Sequence, residues 1–310
     1  MTHPLSSVKP FVMKMLPLLL LTCCLCIGVA CSSAQKPQPN APREFRLPDV
    51  PTSLTTPEAR AEYLSLHYWD HFDFADTSLI TRPEISEQAF VNFINILPFT
   101  PKAQEAVDTL VHRATVRKEM LNYFIELGNK YLYEPNSPMH NEELHILMLR
   151  ALVNNPRITE KEKNRPHFLL EMALKNRPGD VAADFTFTGR DGKRQQLADL
   201  KADYVILYFN DPECEDCHRM KDMLSQSTVI NHLLKSGRLK LLSVCVEGKT
   251  KGWQTATFPP QWIDGYDDGQ ILTRDQVYDL KAMPTLYLLD AKRRVILKDA
   301  SIQEIEVQLS

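Results

Sequence analysis

Cysteine is scarce in the body of this chain. Of seven cysteines in 310 residues, only Cys214, Cys217 and Cys245 lie beyond position 31. So few cannot build the disulfide lattice that stabilises small secreted domains, so a close pair among them points to redox work instead. Positive charge is not in excess either. The 36 Lys and Arg face 39 Asp and Glu, a formal net charge of -3, which excludes nucleic acid as a partner. A second pair of Cys or His ligands is missing around the three thiols. Cys245 sits among apolar strand residues and reads as a small buried hydrophobe, not a zinc ligand, so no metal is expected. With 44% hydrophobic and 24% charged residues, the length supplies two ordinary cores.

The first thirty residues contain no acid. Lys9 and Lys14 precede the apolar run from Met15 to Thr22, which continues through Cys23, Cys24 and Cys26 to Gly28-Val29-Ala30-Cys31. That run is short for a spanning helix and ends in small residues, so residues 1–30 read as a signal peptide cleaved before a lipidated Cys31; an uncleaved anchor is the alternative. Gly28 to Cys31 resembles a bacterial lipobox, with glycine where leucine is usual. Cleavage removes Lys9 and Lys14 and takes the formal net charge from -3 to -5. Residues 31–47, rich in Pro, Gln and Ser, form a flexible tether in this reading. Ser32 resembles the default for outer-membrane sorting, so the expected location is the cell envelope, periplasm-facing, with the outer membrane favoured over the inner.

Residues 48–178 carry helix signals and almost no strand signal, an all-helical domain. Thr56-Pro57 and Thr100-Pro101 offer N-caps with proline at the first helical position, and Thr159 with Glu162 makes a capping box. Val107, Leu110, Val111, Ala114, Leu121, Phe124, Ile125 and Leu127 recur at three- and four-residue steps, predicting one long helix over 101–132. Pro166 should kink the last helix. His67 and His71, four apart on a predicted helix, could share a metal, but among Tyr68, Trp69, Phe72 and Phe74 they read as half-buried amphipathic residues.

From 179 the periodicity changes. Gly189-Arg-Asp-Gly192 joins two strand-like segments, Tyr204 to Asn210 reads as a buried strand, and a helix is predicted from Cys214 to about Lys235. A strand at 239–246, a helical segment near 273–281, a strand hairpin at 285–298 and a terminal helix complete the chain. Strand, helix, strand and hairpin in that order give a mixed sheet flanked by helices.

The chemistry concentrates at Cys214-Glu-Asp-Cys217, between the buried strand and the helix, with Met283-Pro284-Thr285 well downstream. Two cysteines three apart at a helix start can close a small disulfide, and the exposed N–H groups and helix dipole favour the N-terminal thiolate. Cys214 attacks and Cys217 resolves. Asp211, Glu213, Glu215 and Asp216 surround the pair with negative charge that disfavours the thiolate, while His218 and Arg219 oppose it; a less stabilised thiolate belongs to a reductant. Cys214 to His218 also fits the CxxCH pattern of c-type haem attachment. The preceding strand and the following Met-Pro-Thr segment argue against haem, which needs a small helical fold and a second axial ligand. A peroxidase nucleophile pattern is missing at Asn210-Asp-Pro-Glu213.

The combined pattern over 181–310 resembles the thioredoxin superfamily, closest in style to the membrane-tethered TlpA/ResA branch. The resemblance implies a thiol–disulfide oxidoreductase fold, with no cofactor, in which Pro284 is the cis-proline facing the dithiol and Met283 and Thr285 line a peptide groove. It also exposes two departures: Tyr208 stands where many relatives keep a buried carboxylate, and Glu213 where tryptophan is usual, so proton relay must use another group or water. The helical half resembles an uncharacterised domain found upstream of thioredoxin-like domains in Gram-negative lipoproteins, which implies no activity. The expectation is therefore an exported, membrane-tethered enzyme that reduces disulfides of client proteins and is recharged by a thiol electron donor. The competing class is a non-enzymatic envelope binding module with an incidental dithiol.

Overall fold

Thr56 starts the first helix: its hydroxyl accepts the Ala59 N–H at 3.2 Å, while Pro57, which has no N–H to satisfy, takes the first helical position. The computed structural model describes residues 44–310, so the leader, Cys31 and most of the tether lie outside the described residues. The helices of the first half are α1 (Pro57–His67), α2 (Ser86–Ile96), α3 (Ala103–Ala114), α4 (Lys118–Gly128), α5 (Glu142–Asn154) and α6 (Glu160–Ala173), with a π turn at Asn129–Tyr133. The Thr159–Glu162 capping box forms at the start of α6, and the helix runs on through Pro166.

The expected helix over 101–132 is two helices. The Thr115 N–H bonds the Val111 carbonyl while its hydroxyl bonds the His112 carbonyl, and Arg117 is extended (φ -132°, ψ 131°), so the chain ends one helix and restarts at Lys118. His67 is the last residue of α1, so His71 lies beyond the helix; His67 Nδ1 instead meets Asp70 at 2.8 Å and its ring stacks on Tyr63. The core of this half is aromatic. Trp69, 1% exposed, meets Phe72, Phe93 and Phe124 edge-on at centroid distances of 5.3 to 5.4 Å.

The second half is a seven-stranded sheet of β1 (Thr186–Gly189), β2 (Arg194–Gln196), β3 (Tyr204–Asn210), β4 (Leu239–Cys245), β5 (Ile263–Tyr266), β6 (Thr285–Asp290) and β7 (Val295–Lys298). Its spatial order is β2-β1-β5-β4-β3-β6-β7. The interleaved helices are α7 (Glu215–Gln226), α8 (Thr228–Lys235), α9 (Lys251–Thr255), α10 (Ile271–Arg274) and α11 (Ile302–Leu309). β3 pairs parallel with β4 and antiparallel with β6, and the period of two divides its side chains between two cores. Ile206 and Tyr208 pack with Leu224, Ile230 and Ile305, while Val205, Leu207 and Phe209 pack with Leu272, Tyr278 and Tyr287.

Three elements differ from the sequence expectation. The helix predicted from Cys214 to Lys235 breaks at Ser227, which is extended (φ -61°, ψ 120°), caps α8 through the Ile230 N–H and reaches Glu306 of α11. β5 was not foreseen: Ile-Asp-Gly-Tyr has little strand propensity, but β1 lies so close that a Cβ on Gly265 would meet Phe187 Cδ2 at 2.7 Å. The helix expected near 273–281 is confined to Ile271–Arg274; Gln276 has positive φ (51°), which ends it.

The two halves meet through charge. Lys298 Nζ, on β7, lies 2.8 Å from Glu142 Oε2 of α5 and donates to the carbonyls of Ala173 and Lys175 at 2.9 Å each. Lys281 Nζ stands 3.5 Å from the same Glu142, 3.7 Å from Asp279 and 3.4 Å from Asp299. The Asn176 side chain completes the seam, donating to the Val277 carbonyl at 2.9 Å and accepting the Ala183 N–H at 2.7 Å.

Candidate active site

β3 delivers the chain to the top of the sheet, and α7 begins there. Asn210, the last residue of β3, is pinned by its side chain to Ser243 Oγ at 2.9 Å, and the Cys214 N–H bonds the Asp211 carbonyl in the tight turn between. Cys214 is the N-cap of α7: extended, half-buried, with Sγ accepting the Cys217 N–H at 3.4 Å. A sulfur at that position faces the free N–H groups and positive end of the helix. Cys217 lies one turn in and is 2% exposed. Burial pushes its thiol up from 9.0 to about 12, so at neutral pH it holds its proton. The two sulfurs thus differ in access, and the buried one is held as the thiol.

The segment before β6 closes the other side. The Met283–Pro284 peptide is cis, and Cys214 Sγ lies 3.7 Å from the Met283 carbonyl oxygen. Residues 69 positions apart are brought together because β3 and β6 are neighbours, with Phe209 opposite Thr285. Met283 and Pro284 line an open cleft beside the dithiol. Thr285 does not, contrary to the sequence expectation: it is 1% exposed, and its hydroxyl donates back to the Ala282 carbonyl at 2.6 Å.

The charged residues around the dithiol are spent largely on each other. Arg219 pairs with Asp216 and, at 3.3 Å, with Glu215, so these acids bear on Cys214 less than their number suggests. His218 Nε2 lies 2.6 Å from the Pro212 carbonyl and Glu213 is exposed. Tyr208, in place of a carboxylate, donates its hydroxyl to the Cys217 carbonyl at 2.6 Å; burial raises its pKa far above the phenol range, so it is no proton acceptor. A cavity of about 310 Å³ opens under Cys217, lined also by Tyr208, Asp211, His218 and Lys221, with room for water to carry the proton. Sequence reasoning missed this chamber, whose far wall, Gly252 to Phe258, comes from a stretch in which it placed no element.

Cys245 is fully buried on β4, and burial pushes its thiol to about 11. Among the described residues no cluster of three His, Cys, Asp or Glu side chains could hold a metal ion. Covalent haem would need both cysteines of the motif open to a porphyrin, and Cys217, in the first turn of α7, is buried. No helix among the described residues is long and apolar enough to cross a membrane.

A family described as a domain of unknown function, DUF5106, matches residues 28–176. No curated protein matches the chain. Among solved structures, a thioredoxin-like protein from Bacteroides caccae is 44% identical with a TM-score of 0.80, covering 86% of this chain and 98% of its own. The C-terminal domain of an uncharacterized protein from Bacteroides fragilis is 38% identical with a TM-score of 0.43, over 44% of this chain and 99% of its own. The thioredoxin domain of a thiol-disulfide oxidoreductase from Bacteroides vulgatus is 18% identical with a TM-score of 0.37, over 43% of this chain and 95% of its own.

Proposed function

This chain belongs to the thioredoxin-like proteins, and from that premise we propose that it is an exported, lipid-anchored reductase of disulfides in envelope proteins. The observation that carries the reading is the inequality of the two thiols: Cys214 half-exposed at a helix start against the Met283 carbonyl, Cys217 buried and protonated behind it. The Cys214 thiolate attacks one sulfur of a client disulfide, and the other client sulfur leaves as a thiolate and takes up a proton. Cys217 then gives its proton to water in the chamber below and attacks Cys214 Sγ, which releases the second client thiol. The client disulfide is reduced to two thiols, and Cys214–Cys217 is left as a disulfide. A thiol protein on the same side of the membrane must reduce it again. Export, anchoring through Cys31 and the periplasmic face rest on the leader composition, with the outer membrane favoured by Ser32.

The test is the equilibrium potential of the Cys214–Cys217 pair, titrated against a dithiol buffer. A value below about -200 mV is expected; one near about -120 mV would reverse the direction and make the protein an oxidant. Cys217→Ala in vivo should accumulate mixed disulfides with envelope proteins at Cys214. If none form, the dithiol is incidental and the chain is a binding module.

A further inference from the structure

The cleft beside the dithiol is not a groove of the sheet half alone. It encloses about 1210 Å³, and one wall is built by the helical half. On the sheet side stand Met220 and Met223 of α7 with Met283 and Pro284 of the segment that contacts Cys214 Sγ. Facing them are Pro135, Asn136 and Pro138, from the segment between the π turn and α5. The floor is the ionic seam of Glu142, Lys281 and Lys298.

A groove for an extended, cysteine-bearing client beside the cis-proline is what the thioredoxin-like fold implies; we infer that the helical half selects among such clients by forming the far wall of that groove. The inference rests on the oxidoreductase reading, since it assigns client selection at that same dithiol. Three observations support it. Met283 and Pro284 line the cleft, and Cys214 Sγ lies 3.7 Å from the Met283 carbonyl oxygen, so a chain lying in the cleft passes close to the reactive sulfur. Its near wall combines three methionines and Pro284 with the paired Asp216 and Arg219, and the flexible thioethers adapt to varied apolar side chains without demanding one shape. The far wall is held in place: Ser137 N–H bonds the Glu134 carbonyl at 3.0 Å, its hydroxyl bonds the Tyr131 carbonyl at 2.7 Å, and the Asn141 N–H bonds the Leu132 carbonyl at 3.1 Å. Glu142, directly after that wall, is tied to Lys281, two residues before Met283, so wall and reactive segment are anchored to one another.

A small disulfide needs only Cys214, whereas a peptide needs the cleft. The test uses the chain with Cys217→Ser, so that reaction stops at the mixed disulfide. Two probes are compared: glutathione activated as its nitrothiobenzoate mixed disulfide, and a ten-residue peptide with a single cysteine, activated in the same way and flanked by leucine and valine. Asn136 is exposed, and Asn136→Trp fills the cleft from the far wall without touching the dithiol. The ratio of peptide rate to glutathione rate should fall about tenfold, the loss of one good interface contact, and Pro138→Trp should repeat it. A ratio unchanged from the parent in both variants overturns the inference, whether the two rates hold or fall together. Failure of the oxidoreductase reading looks different: neither probe would form a mixed disulfide with the parent itself.

Discussion

The helical half and the sheet half solve the same problem, burial of an apolar core, with different materials. The first stacks aromatic rings around Trp69 in one core; the second divides its core over two faces of a sheet, one rich in Phe and Tyr and the other mostly aliphatic, and puts both thiols of the motif just beyond the end of β3. They join through a charged seam in which Glu142 from one half faces Lys281 and Lys298 from the other. Chemistry and surface can therefore vary separately. Two paired interior strands, β3 and β6, hold sulfur and cis-proline in fixed register, while a helical partner can change its loop without disturbing that register.

The comparison is sharpened most by damage to the aromatic core. Trp69→Ala should destabilise the protein by about 4 kcal/mol, read as a shift in denaturant midpoint. The rate of Cys214 with a small activated disulfide should stay within about twofold of the parent while the protein remains folded, a negligible change in barrier. A larger drop would show the halves are not separable. Glu142→Ala is next, at about 3 kcal/mol, because Lys298, 3% exposed, loses its carboxylate. Calorimetry should then resolve two transitions where the parent shows one, and a single transition at the parent's temperature would break the comparison at its seam.

The smallest effect separates the thiols by pH. An unfolded thiol titrates near 9.0, and buried Cys245 near about 11. Stability from its burial is thus whole below pH 9.0 and is lost as the pH rises through the folded value, because only the unfolded chain releases the proton in between. Cys245→Val removes that term and should flatten the decline by on the order of 1 kcal/mol at pH 10, measured from denaturant midpoints. An unchanged slope would mean that other groups, such as the buried tyrosines, carry the alkaline loss.

What could be read from the sequence was what is local. Cys214 and Cys217 share one helical turn, the capping box at Thr159 spans four residues, and the apolar run that marks β3 as a buried strand lies within seven. Pro284 could be set beside the dithiol only because a recognised fold pattern supplied the pairing of β3 with β6. Pairings without such a pattern were hidden. Glu142 and Lys281 meet across 139 positions, and no periodicity marks either as a partner. β5 was missed because its burial comes from its neighbours, not from Ile-Asp-Gly-Tyr. The breaks at Thr115 and Ser227 were missed because both interrupt apolar periods that continue on the far side.

The segment from Glu134 to Asn141 carries a consequence in entropy. Pro135 and Pro138 restrict the backbone, and hydrogen bonds from Ser137, His140 and Asn141 fix much of the rest. A loop with so little freedom left loses little when something settles against it, whereas a glycine-rich loop of equal length would give up roughly 1 kcal/mol for every residue it had to order. Most of that ordering is done when the chain folds, so whatever the cleft receives meets a surface already at rest.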